Sequence, residues 1–172
     1  LSSNGINYFR VVFTMGQPYG YSTNPYLRTG PGNAADGRLK FDLTRFDQAY
    51  FDRWLDIVTY ARSKGIVIQL CILDAWHNKA NIVEENSAQG AYYVWRMSRD
   101  YYHNSNNIQG LNVYTANDWA NPSNGVNAYQ QALIRKLVDT VGHMPNIVWE
   151  IANEAMGRDT WANGLANVLS NY

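Results

Sequence analysis

Three stretches of the chain carry the apolar density of buried strands, and each is followed by helical spacing or by a long polar loop. Ile6-Asn7-Tyr8-Phe9-Arg10-Val11-Val12-Phe13 is short, β-branched and aromatic, and one Arg interrupts it. Ile66-Val67-Ile68-Gln69-Leu70-Cys71-Ile72-Leu73 is a nearly continuous apolar run, as in parallel strands covered on both faces. Asn146-Ile147-Val148-Trp149-Glu150-Ile151 predicts a third strand that ends at Ala152-Asn153-Glu154. Between them lie helices. Residues 47–63 set Phe51, Trp54, Leu55, Val58 and Ala61 on one stripe and stop at Lys64-Gly65. Residues 124–142 keep Tyr129, Leu133, Leu137 and Val141 in step, and a last helix is expected over 159–169.

Strand, helix, strand, helix, strand, helix predicts an α/β fold with parallel strands joined by right-handed crossovers. The returns at Lys64-Gly65 and 142–145 are short. The connections from Thr14 to Thr44 and from Asp74 to about Pro122 are long, rich in Gly, Pro and aromatic residues, and read as loops, with a short helix near 87–97 in the second. Both leave the carboxyl ends of their strands, as functional loops do in a (β/α) barrel and equally in a doubly wound sheet. No GxGxxG or GxxxxGK[ST] occurs, so nothing supports a dinucleotide or P-loop site.

Composition narrows the partners. The 172 residues, 46% hydrophobic, are read as one domain spanning 1–172. Lys and Arg number 14 against 14 Asp and Glu, with no run of like charge beyond two, which argues against nucleic acid and anionic membranes. No apolar stretch approaches the ~20 residues that span a bilayer. The single Cys71 excludes an intrachain disulfide and reads as a small core residue. The three His, at 77, 103 and 143, lack ligand spacing, so neither metal nor cofactor is expected. Six Trp, thirteen Tyr and many Asn suit a neutral polyhydroxylated ligand as well as they suit an aromatic core.

Chemistry concentrates on the third strand. Alternation places Val148, Glu150, Ala152 and Glu154 on one face. Two carboxylates on an otherwise apolar inner face are costly unless paired or functional. At the strand's carboxyl end, partly desolvated, Glu154 has the environment of a general acid; a charge favourable to the dipole of the next helix is the competing reading. An Arg in an apolar strand needs an anion, and Glu150 is the natural partner for Arg10 as a structural ion pair.

Asn146-Ile147-Val148-Trp149-Glu150-Ile151-Ala152-Asn153-Glu154 resembles the fourth-strand signature of the clan A retaining glycoside hydrolases, in particular the family 5 cellulase and mannanase group. Residues 4–13 resemble the second strand of such barrels, and residues 50–77 the second helix and third strand. The resemblance implies a partial TIM (β/α)8 barrel, roughly strands 2–4 with their helices, and a retaining β-glycosidase acting on β-linked polysaccharide or oligosaccharide. It implies Glu154 as acid/base and Asn153 as the residue bonding the sugar 2-hydroxyl. Arg10 takes the place of the strand-two Arg that organises the catalytic carboxylates. His77, with Trp76 and Asp74 at the third strand's end, falls near the family's sugar contacts, and the Tyr-rich loops are candidates for the cleft walls.

A retaining mechanism needs a second carboxyl group about 5 Å away. The family's nucleophile ends a seventh strand, which is not among the segments matched, and a whole barrel takes about 250 residues. A catalytically incomplete fragment that binds carbohydrate or only self-assembles is therefore the alternative. Open sheet edges predict a homo-oligomer, a dimer in its simplest form. The first residues show no signal peptide and read like a helix end with its Gly stop, while the resemblance implies a secreted or periplasmic parent protein.

Overall fold

Ile68, Leu70 and Ile72 point one way from the middle strand of a parallel sheet, and the helices cover them. The computed structural model describes residues 2–13, 24–74, 100–112, 125–153 and 159–172. Its elements are β1 (Tyr8–Val12), β2 (Tyr26–Asn33), β3 (Leu39–Phe46), α1 (Gln48–Ser63), β4 (Val67–Asp74), α2 (Gly125–Val141), β5 (Ile147–Asn153) and α3 (Asp159–Ser170). Strands β1, β4 and β5 form one parallel sheet in that order, with Arg10 opposite Gln69 and Cys71 opposite Glu150. Each strand adds beside its predecessor with a helix between. This is part of a (β/α) barrel, and among the described residues the sheet does not close.

Helix α1 begins where Asp47 accepts a hydrogen bond from the Ala49 amide at 3.1 Å, an N-cap that contributes about 1 kcal/mol. It ends at Lys64, and Gly65 turns the chain with φ of +66°, a conformation that only glycine adopts without strain. Its buried face, Tyr50, Phe51, Trp54, Val58 and Ala61, meets Phe13 and β4. Leu133, Ile134, Leu137 and Val141 from α2 and Trp161 and Leu165 from α3 complete that core, and Trp149 packs against it. Burying a side chain of this size is worth about 1.5–3 kcal/mol, so the apolar stripes hold the helices more firmly than helix propensity does. Two buried amides add direction. The Asn146 amide donates to the Val58 and Ile66 carbonyls, both at 3.1 Å, and the Trp161 indole donates to Gln130 Oε1 at 2.9 Å. Cys71 is fully buried, its thiol 3.2 Å from the Leu73 carbonyl.

The connection expected as a loop from Thr14 to Thr44 contains the antiparallel hairpin β2–β3, whose register shifts twice between Tyr26 and Asn33. Its core is made with distant chain: Tyr26, Phe41 and Leu43 pack with Tyr101, Tyr102 and Val126. The Phe41 amide donates to the Asn106 carbonyl at 2.8 Å, and the Ile108 amide returns a bond to the Phe41 carbonyl at 2.9 Å. Arg28 lies over the Phe41 ring at 3.9 Å and holds Asp36 through two hydrogen bonds of 3.1 and 2.7 Å. Tyr101 and Tyr102 are buried in this second core. The short helix expected near 87–97 lies outside the described residues. Among the described residues no helix is long and apolar enough to cross a membrane.

Candidate functional site

The sheet face turned away from the helices carries the polar residues of the three strands. Tyr8 and Arg10 come from β1, Gln69 from β4, and Glu150 from β5. In-register pairing sets Arg10 beside Gln69 and Gln69 beside Val148, so Arg10 reaches across the middle strand to the carboxylate of β5. Its Nε donates to Glu150 Oε2 at 2.7 Å and its Nη2 to Oε1 at 2.5 Å. Nη2 also donates to Asn153 Oδ1 at 2.9 Å. Gln69 Nε2 adds a 2.7 Å bond to Glu150 Oε2, and the Tyr8 hydroxyl donates to Gln69 Oε1.

The ion pair is neither buried nor fully wet, since the Arg10 side chain is 42% and that of Glu150 22% exposed. Solvent therefore screens part of its Coulomb energy, while the forked geometry keeps its directionality. Hydrogen bonds from Arg10 hold the Glu150 carboxyl below the usual glutamate range; partial burial pushes the other way, and Gln69, the Arg10 charge and the Cys71 thiol add to the lowering. Glu150 is thus an ionised acceptor at neutral pH. In that state it has no proton to give.

Asn153 is the last residue of β5, and its backbone is in register with Asp74, the last residue of β4. The carboxyl ends of both strands therefore lie side by side, with Arg10 and Glu150 next to them on the inner face. Of the residues singled out from the sequence, the structure gathers Arg10, Glu150 and Asn153 into one network. Asp74 is placed by its backbone alone, and Glu154, Trp76 and His77 lie outside the described residues. Glu154 follows Asn153 directly in the chain.

Gln69 and Tyr8 belong to the network and were not among the expected site residues. A signal for them existed. Gln69 is the one polar residue in the apolar run 66–73, and Tyr8 shares the parity of Arg10. Among the described residues no group of three His, Cys, Asp or Glu side chains could hold a metal ion.

A family model described as Cellulase (glycosyl hydrolase family 5) matches residues 1–172. No curated protein and no solved structure matches the chain.

Proposed function

The chain belongs to glycosyl hydrolase family 5, and from that membership we propose a retaining β-glycosidase in which Glu154 is the general acid/base. The observation that supports it most is the gathering of Arg10, Glu150 and Asn153 at the carboxyl end of β5, one residue before Glu154. In this reading Glu154 protonates the leaving glycosidic oxygen of a β-linked polysaccharide or oligosaccharide and later takes a proton from the attacking water. Asn153 bonds the sugar hydroxyl next to the scissile bond. Trp76, His77 and Asp74, at or just beyond the end of β4, contact neighbouring sugar units. A polymeric substrate fits a protein that works in the secreted or periplasmic space. Replacing Glu154→Gln tests this directly: turnover of aryl β-glycosides, soluble glucans and mannans should be lost while the folded spectrum and melting temperature persist. Unchanged turnover would remove Glu154 from the mechanism.

A second reading is favoured by the state of Glu150. Both of its oxygens accept hydrogen bonds from Arg10 and Gln69, which ties this inner-face carboxylate to the network and weakens it as a nucleophile. The chain then binds carbohydrate without cleaving it, or associates with a second copy through the free edges of β1 and β5, where Ile6, Tyr8, Phe9 and Val148 are exposed. Saccharide affinity with no hydrolysis marks the first of these. A light-scattering mass of one monomer at every concentration excludes the second.

A further inference from the structure

The row of helices over the sheet has α1 at one end and α3 at the other, and the two ends differ in shape. Beside α1 lies a groove of about 700 Å3, with Phe9 and Ile68 of the strands on one side and Ile57, Tyr60 and Ala61 of α1 on the other. Phe9 and Ile68 are register partners, so both side chains leave the sheet on the same side. Ile68 is buried, yet Phe9 is 44% exposed, Ile57 40% and Tyr60 67%. Gln48, on the opposite flank of α1, accepts a 2.8 Å bond from Lys136 of α2, so the groove lies on the flank that no described helix covers. At the other end, Trp161 turns its indole to Gln130 of α2, and helical spacing sets Ala162, Ala166 and Leu169 on the flank away from it. All three are only partly buried. No charged residue occurs from Thr160 to Tyr172, which is unusual for a helix whose outer side meets water.

Helix α3 packs on β5, and a right-handed crossover would lead from it to a parallel strand on the free side of β5. We infer that a second copy of this chain fills that place: its β1 pairs in parallel with β5, and its groove beside α1 receives α3 of the first copy. The inference rests on the self-association reading above and specifies its surfaces. The sheet of one copy continues into the next through two edges that are free among the described strands. The helix row continues as well, with Ala162, Ala166 and Leu169 set against Phe9, Ile57 and Tyr60 of the second copy. Two different surfaces meet in this contact, so copies add head to tail until a ring closes.

A head-to-tail contact allows two defective variants to repair one another. Ile57→Lys combined with Tyr60→Lys spoils the groove and keeps α3, whereas Ala166→Lys spoils the flank of α3 and keeps the groove. Each should hold the light-scattering mass of one chain at concentrations where the parent chain associates, with its melting temperature kept. Mixed in equal amounts, they should form a complex of two chains and no more. Tyr60→Lys alone, at the most exposed of these positions, replaces the double variant should that one melt early. A mixture that stays monomeric, or an Ala166→Lys chain that associates like the parent, overturns this placement and leaves the association to another surface. A parent chain that is monomeric at every concentration overturns the association itself and the placement with it.

Discussion

The side-chain amide of Asn146 reaches the Val58 carbonyl at 3.1 Å across 88 positions of sequence. The same nitrogen bonds the Ile66 carbonyl, and the Asn146 carbonyl accepts the Ile68 amide at 2.8 Å. One residue thus joins α1, the return into β4 and the approach to β5. Its own Oδ1 is buried without a hydrogen-bond partner among the described residues, so the residue is held for its two donors.

Replacing Asn146→Ala should cost about 2 kcal/mol, because it takes the added donor from two buried carbonyls. Asn146→Asp should cost more, since a carboxylate would face those carbonyls with no donor at neutral pH. Urea unfolding at pH 7 measures both. Equal stability of all three proteins would show that the amide joins nothing.

Trp161 and Gln130 form the corresponding tie between α3 and α2. Trp161→Phe should lower stability by about 1–3 kcal/mol, because Gln130 is left buried with its oxygen unmet. Adding Gln130→Leu to that variant should recover part of the loss. A double variant less stable than the sum of the two single ones would contradict this origin.

Acid should reveal the Arg10–Glu150 pair. The folded pKa of Glu150 is lowered, so between it and the unfolded value of about 4.3 the unfolded chain binds the extra proton. The stabilisation is complete above that unfolded value and is lost as pH falls through the folded one. Glu150→Gln should therefore trail the parent chain in melting temperature by a constant margin from pH 7 to pH 5. The margin should shrink below about pH 4.3. A margin that grows on acidification would reverse the assignment.

His103 works in the opposite chemical sense but the same direction of pH. Burial pushes its imidazole down, with the Asp100 charge opposing, and Nδ1 lies 2.6 Å from Ser105 Oγ and 3.3 Å from the Ser105 amide. The unfolded chain takes up a proton near pH 6.5, before the folded chain does. Stability should thus be full above that value and decline as pH drops below it. His103→Gln should flatten the melting profile between about pH 6.5 and 5. An unaltered slope there would free His103 of any part in acid sensitivity.

Much of the architecture is legible along the chain because its causes are local. Ile66–Leu73 is apolar on both parities, α1 carries its stripe and its Gly stop, and β5 follows a short return. The hairpin β2–β3 is hidden for a physical reason. Arg28, Thr29, Lys40, Thr44 and Arg45 break any alternation, Gly30-Pro31-Gly32 looks like turn chemistry, and Tyr26, Phe41 and Leu43 find their apolar partners some sixty to a hundred positions away. The site divides in the same way. Arg10 announces itself as a lone cation in an apolar strand, whereas Gln69 stands out in its run as a polar residue but shows its partners only once the register sets it between Arg10 and Val148.

Cys71, sealed under the sheet, is the only thiol in the chain. A cysteine introduced on any exposed helix position can therefore take a fluorescent or spin label with no native thiol to remove first. Distances between such labels on α1 and α3 would report directly on whether two copies of this sheet come together.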